Sequence, residues 1–157
     1  MQSFVEIKVR GYHMDHFNHV NHTRYLEFME EGRWSYFEEK NLFHSFHEKG
    51  IIHAVVNINI NYKKSAKVGD VLIVATNLLK AGKNSFTMFQ KLFLKGTDIL
   101  VADAQVTNVF IDMNAGKVVP VDNEIISLWP DLGEYYHKVP VFPSIACSQN
   151  ETGTFFS

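Results

Sequence analysis

YHMDHFNHVNHTRYLEFMEEGRWSY, residues 12–36, changes character at its midpoint. As far as Val20 it has no usable periodicity and is rich in Asp, Asn and His, the composition of a loop. From Asn21 onward Tyr25, Phe28, Met29, Gly32 and Tyr36 recur at helical spacing on one face, with Leu26 and Phe37 beside them. Glu27, Glu30 and Arg33 fall on or near the wetter side, where Glu30 is spaced to pair with Arg33. Asn21 suits the N-cap, since its side chain can accept a hydrogen bond from an otherwise unpaired N–H of the first turn. The stretch therefore reads as a loop feeding the N-terminus of a buried helix. One carboxylate, Asp15, sits in that loop, and His13, His16, His19 and His22 recur every three residues around it.

Upstream, Phe4 to Arg10 alternates Val5, Ile7 and Val9 against Glu6, Lys8 and Arg10, a half-buried strand. Downstream, Asn41 to Lys49 reads as a short second helix stopped by Gly50. The period then switches to two: Val56, Ile58, Ile60 and Tyr62 point one way, and Asn57, Asn59 and Asn61 the other. Asn is depleted in strands, so this ladder is either a solvated outer face or a polar contact between subunits. After the polar turn KKSAKVGD (residues 63–70) come three further strands, Val71 to Leu79, Ser85 to Lys95 and Ile99 to Asp112. AGKN and GTD join them with the Gly and Asn of antiparallel hairpins. A turn at Asn114-Ala115-Gly116 leads to Pro120, and Asp122 caps a short helix ending near Trp129. With no repeat and no dividing linker, residues 1–136 are expected to form one domain, and residues 137–157 an extended or disordered tail.

A sheet with one apolar face has to be covered, and the long helix is the element large enough to do it. The order strand, loop, helix, then a run of antiparallel strands gives an α+β fold, a curved sheet wrapped around one central helix. At 157 residues the chain is long enough for a sizeable core, and thirteen Phe can fill a core, a subunit interface or an apolar tunnel. A formal charge of −2 lacks the basic footprint of a nucleic-acid binder. No run approaches the roughly 20 apolar residues of a membrane span. The opening MQSFVEIKVR lacks the apolar core of a secretory signal, and the single Cys147 excludes an internal disulfide, so a cytoplasmic location is expected.

The motif V-R-x-x-x-x-D-x-x-x-H-V-N-x-x-x-Y-L-x-x-x-E across Val9 to Glu30, in this order of elements, resembles the hotdog-fold thioesterases of the 4-hydroxybenzoyl-CoA thioesterase-like branch. VRGYHMDHFNHVNHTRYLEFMEEGRW and VVNININYKKSA are most similar to its bacterial long-chain acyl-CoA thioesterase III members. Weaker similarity runs on to about Leu128. Asn18 stands where broader members often carry Gly, His22 where they carry Asn, and Ser65 where they carry Pro.

The resemblance implies that Asp15 is the catalytic carboxylate and that a backbone N–H of His22 or Thr23 polarises the thioester carbonyl. It also implies an acyl-CoA substrate, no metal or cofactor, and a homo-oligomer (dimer or dimer of dimers) with active sites between subunits. The chemistry is coherent: a helix N-terminus offers unpaired N–H groups and partial positive charge to a developing oxyanion. Asp15 can attack directly or act as general base on water; alternatively it only caps a loop turn. His19 is read as supporting the loop and Asn21 as the helix cap, while Glu30 and Glu31 are surface or interface charges. The histidines invite a metal, but their spacing lies in a loop rather than at the four-residue spacing of helical ligands, so none is expected. Tyr25, Lys63, Lys64, Lys83 and Ser85 are the substrate-binding candidates, the lysines for CoA phosphates. Two alternatives stay open, an acyl carrier protein thioesterase and a non-catalytic acyl-CoA-binding hotdog protein.

Overall fold

Residues 2–136 are described by the computed structural model. The elements run β1 (Gln2–Lys8), α1 (His22–Glu39), α2 (Leu42–His47), β2 (Ile51–Tyr62), β3 (Val71–Ala81), β4 (Phe86–Leu94), β5 (Leu100–Asp112), β6 (Lys117–Val119), α3 (Asn123–Leu128) and α4 (Asp131–Tyr135). All pairings are antiparallel in the order β1-β3-β4-β5-β2, with β6 added to β5. The first two strands thus occupy opposite edges of the sheet. The chain passes from one edge to the other through α1, which is why the long helix must lie across the sheet.

The apolar face read from sequence is the buried one: Tyr25, Phe28, Met29, Tyr36 and Phe37 are each at most 4% exposed. Arg33 departs from expectation. It is 7% exposed and donates from Nη1 to Gln90 Oε1 at 2.9 Å, rather than lying on the wet side with Glu30. Its position, four residues after Met29 and three before Tyr36, puts it on the buried face whatever its charge. Nor does α1 cover the sheet alone. One core cluster gathers around Tyr25, Phe28 and Met29; a second joins Tyr36 and Phe37 to Phe46 of α2, Ile125 of α3, and Trp129 and Leu132. The strand β6, the helix α4 and a 3-10 turn at Gly11–His13 were not anticipated, being too short to show a period. The expected tail, residues 137–157 with Cys147, lies outside the described residues.

Gly32 sets how closely helix and sheet approach. A Cβ there would stand 2.6 Å from Val74 Cγ1 and 2.8 Å from Thr76 Oγ1, with Gln90 Nε2 at 3.1 Å. Gln90, itself fully buried, donates from Nε2 to Met29 O at 2.7 Å and Thr76 Oγ1 at 2.8 Å. One amide therefore ties α1 to β3 and β4 at the point of closest contact. Gly32→Ala should gain about 1 kcal/mol of helix propensity and lose about 1–3 kcal/mol to overpacking. We expect a net loss of stability in urea unfolding; a more stable variant would show that the helix does not seat this tightly.

Candidate active site

The loop between β1 and α1 folds as a closed hairpin. Met14 and Val20 form a bridge, Asp15 N–H donates to His19 O at 2.9 Å, and Asn21 N–H donates to His13 O at 2.9 Å. Asn18 holds φ +60°, the left-handed conformation that Asn tolerates best after Gly. The hairpin is pinned to the body by Val20 N–H, which donates to Ala66 O at 3.0 Å.

Asp15 is half-buried near the tip. Its Oδ1 accepts from Phe17 N–H at 2.9 Å and, more distantly, from His19 N–H at 3.4 Å. That is the turn-capping role weighed for it above. The second oxygen, Oδ2, has no hydrogen bond or ion pair among the described residues. One oxygen orders the loop while the other is left over, so capping the turn and acting on a substrate do not compete.

At the base of the hairpin α1 begins. Asn21 is its N-cap: Oδ1 accepts from Thr23 N–H at 3.0 Å and from the Thr23 hydroxyl at 2.8 Å. The Thr23 amide is thereby occupied. The His22 N–H has no hydrogen-bond acceptor among the described residues. Of the two amides expected to meet an oxyanion, His22 is the unpaired one, and Arg24 N–H is already taken by Asn21 O. The Tyr62 hydroxyl donates to His22 O at 3.1 Å and fixes the plane of the following peptide.

A model of the thioesterase-like superfamily matches residues 9–128. The chain belongs to that superfamily. It is 40% identical over 120 residues to the long-chain acyl-CoA thioesterase FadM of Escherichia coli, covering 76% of this chain and 91% of that protein. The crystal structure of YbaW from Escherichia coli is 38% identical with a TM-score of 0.77, over 80% of this chain and 95% of that one. A 1,4-dihydroxy-2-naphthoyl-CoA thioesterase from Synechocystis, 20% identical, shares the fold with a TM-score of 0.72, over 85% of this chain and 98% of that one. The α+β architecture is thus the hotdog fold of these thioesterases, with an open sheet.

Within this thioesterase the other candidates scatter. Tyr25 is 4% exposed, and its hydroxyl accepts from Ala66 N–H at 2.9 Å, so it braces the loop from inside the core. Burial pushes its pKa up, against the Ala66 bond. Lys63 and Lys64 are exposed and sit one and two residues beyond Tyr62, at the hairpin's end of the molecule; Lys63 Nζ lies 3.9 Å from Asp103 Oδ2. Lys83 and Ser85 belong to the β3–β4 turn, and β3 carries the chain about 30 Å from the hairpin's end before reaching it. Within one chain they do not join the Asp15 loop.

His16 and His22 are exposed, and His19 is half-buried. No cluster of three or more His, Cys, Asp or Glu side chains forms a metal set among the described residues. The buried histidine of the loop is His13, 8% exposed, whose Nδ1 accepts from Arg10 N–H at 2.9 Å and whose ring stacks edge-on against Phe28 at 4.9 Å. His13 and Tyr62 are the supporting residues that sequence reading passed over. Only Tyr62, the end of an alternating strand, carried a local signal.

Burial lowers the pKa of His13, helped by Arg24 and Arg10 and opposed by Glu27; burial likewise lowers that of His53 on β2. A depressed folded-state pKa means the unfolded chain binds the proton first. These groups then add stability above the ordinary value of 6.5 and lose it as pH falls through that value towards their folded pKa. Urea unfolding at pH 7.5 and 5.5 should show a drop in stability at the lower pH, smaller in His53→Phe. A flat profile, or an equal drop in the variant, would contradict the assignment for His53.

Proposed function

We propose that residues 1–136 form a single domain that hydrolyses fatty acyl-CoA to a free fatty acid and CoA. The carrying observation is that, among the described residues, the His22 N–H at the start of an 18-residue helix has no acceptor, while Asp15, on the hairpin that leads into that helix, keeps one carboxylate oxygen unpaired. The thioester oxygen would sit at the His22 N–H, where the helix dipole favours the charge that develops on it. Asp15 then acts by one of two routes. As general base it takes a proton from water, whose oxygen bonds to the acyl carbon while the C–S bond breaks and the CoA thiolate takes up a proton. As nucleophile it forms a mixed anhydride, expels the thiolate, and is regenerated by water. Asn21 and His13 serve by holding the hairpin and the first turn in place, and Lys63 and Lys64 are the candidates for the CoA phosphates. Similarity to FadM, a long-chain acyl-CoA thioesterase, supports a long acyl chain.

The acting unit is read as a homo-oligomer. Among the described residues strand β2 is an edge of the sheet, and Ile52, Val55, Val56 and Ile58 on it are 37–58% exposed, an apolar edge of the kind that soluble proteins ordinarily cover. The Asn57, Asn59 and Asn61 side chains are exposed along the same strand, so it has both backbone and amide groups to offer. Antiparallel pairing of β2 with its copy would bring the Tyr62 end, beside His22, next to the Ile51 end of the other subunit. No helix among the described residues is long and apolar enough to cross a membrane. One cysteine in 157 residues fits a reducing compartment, and we take the cytoplasm as the place of action.

The test is thiol release from acyl-CoAs of graded chain length by wild type and Asp15→Asn. We expect turnover by the wild type and a loss of about a hundredfold or more in kcat for the variant, with unchanged circular dichroism. Full activity in Asp15→Asn would move the catalytic role elsewhere. Saturable binding without turnover would make the protein an acyl-CoA binder instead.

A further inference from the structure

A cavity of about 890 Å3 opens between α1, α2 and the first half of β2. Trp34, Phe37, Phe43, Phe46, Ile52 and Val55 make most of its wall apolar. Glu30, Glu38 and four basic side chains also line it; His44, His47 and both carboxylates are exposed, which leaves Arg33 and His53 as the two basic groups drawn into the wall. Neither takes part in the Asp15 hairpin or the α1 N-terminus.

Arg33 is the anomaly. A guanidinium has five N–H donors, and among the described residues this one makes a single hydrogen bond, from Nη1 to the neutral Gln90 Oε1. No carboxylate lies within ion-pair distance among the described residues; Glu30 favours its charge only from farther off, and burial works against it. Burying a cation without an anion is costly. Attaching the helix to the sheet does not require it, because Gln90 already reaches Met29 O and Thr76 Oγ1. His53 stacks on Phe37 with ring centroids 4.5 Å apart, and its Nδ1 is buried without a hydrogen-bond partner among the described residues. Asn108 lies close enough to raise the His53 pKa somewhat, but burial prevails and lowers it, and Asn108 Oδ1 has no hydrogen-bond partner of its own among the described residues. An apolar pocket with a few unsatisfied donors in its wall is the composition of a site for an apolar ligand that carries one polar group.

We infer that this cavity receives the acyl part of the thioester and that Arg33, assisted by His53, binds an oxygen substituent at the far end of the chain. The ligand class is therefore the ω-oxygenated acyl group, bearing a hydroxyl or a carboxylate. The inference rests on the acyl-CoA reading above. Such an oxygen supplies the acceptor that Arg33 lacks, and a plain alkyl terminus leaves the cation unpaired. Charged hydrogen bonds of this kind discriminate by about tenfold or more.

The experiment compares kcat/KM for a saturated acyl-CoA with its ω-hydroxy and ω-carboxy counterparts at two chain lengths, using the full chain. For the wild type we expect at least one substituted substrate to exceed the plain one by about tenfold or more, and the hydroxyl and carboxylate arms tell which oxygen is taken. Arg33→Met should bring that ratio to within about twofold of one, and His53→Phe should lower it partway. Preference for the plain substrate at both lengths, or a ratio that survives Arg33→Met, overturns the inference. If Arg33→Met does not fold, the wild-type ratio and His53→Phe decide alone. If the wild type hydrolyses no acyl-CoA, the thioesterase reading fails separately. The pocket is then judged by thermal shift: stronger stabilisation by an ω-hydroxy or ω-carboxy fatty acid than by the plain acid supports it, and equal stabilisation overturns it.

Discussion

Everything in this molecule hangs on the seat of α1 against the sheet. A helix can approach strands this closely only where it has no side chain, and Gly32 supplies that position over Val74 and Thr76. The same close approach exposes backbone carbonyls to whatever the strands present, and Gln90 answers with a fully used amide: both contacts of Nε2 and the one to Oε1 are internal. Packing and hydrogen bonding therefore fix one helix position rather than a range of them. Because β1 and β2 lie at opposite edges, that seat also determines where the loop before α1 and the edge strand after α2 must lie.

The consequence for chemistry is felt at the helix N-terminus. Four N–H groups begin any helix without an internal partner. Here the cap uses the Thr23 amide, the Asn21 carbonyl uses that of Arg24, and among the described residues the His22 amide has no acceptor. Tyr62, from the edge strand, locks the His22 carbonyl, so the orientation of the surrounding backbone depends on β2 as well as α1. The hairpin supplies the acid in the same economical way, with the Asp15 Oδ1 spent on its own turn and Oδ2 left over. A carboxylate held by its loop is better oriented than a free one, which is the benefit that preorganisation brings to a reacting group.

Much of this was legible in the residues. The change from aperiodic, Asp- and His-rich sequence to helical spacing located the hairpin and the helix, and Asn21 was the cap. Period-two alternation after Ile51 and the Gly- and Asn-bearing turns marked the strands, with their ends shifted by a residue or two. For Arg33 charge points to solvent, whereas its position on the helix puts it in the core. Gln90 and Tyr62 were missed because their partners, Met29 and His22, are 61 and 40 residues away. Lys83 and Ser85 look equivalent to Lys63 and Lys64 in the sequence, since a linear order does not say which end of a sheet a turn occupies. Short elements such as α4 exist through contact with the core, where Leu132 is fully buried, rather than through any pattern of their own.

The direct test of the account is the amide of His22 in 15N-labelled protein, titrated with a non-hydrolysable acyl-CoA analogue that keeps the carbonyl. The account predicts that the His22 resonance moves downfield as it gains an acceptor, while that of Thr23, held by Asn21, moves little. A large shift at Thr23 with His22 unmoved, or perturbation confined to residues far from the hairpin, would contradict the central claim that the helix N-terminus at the base of the Asp15 hairpin is where the thioester carbonyl binds.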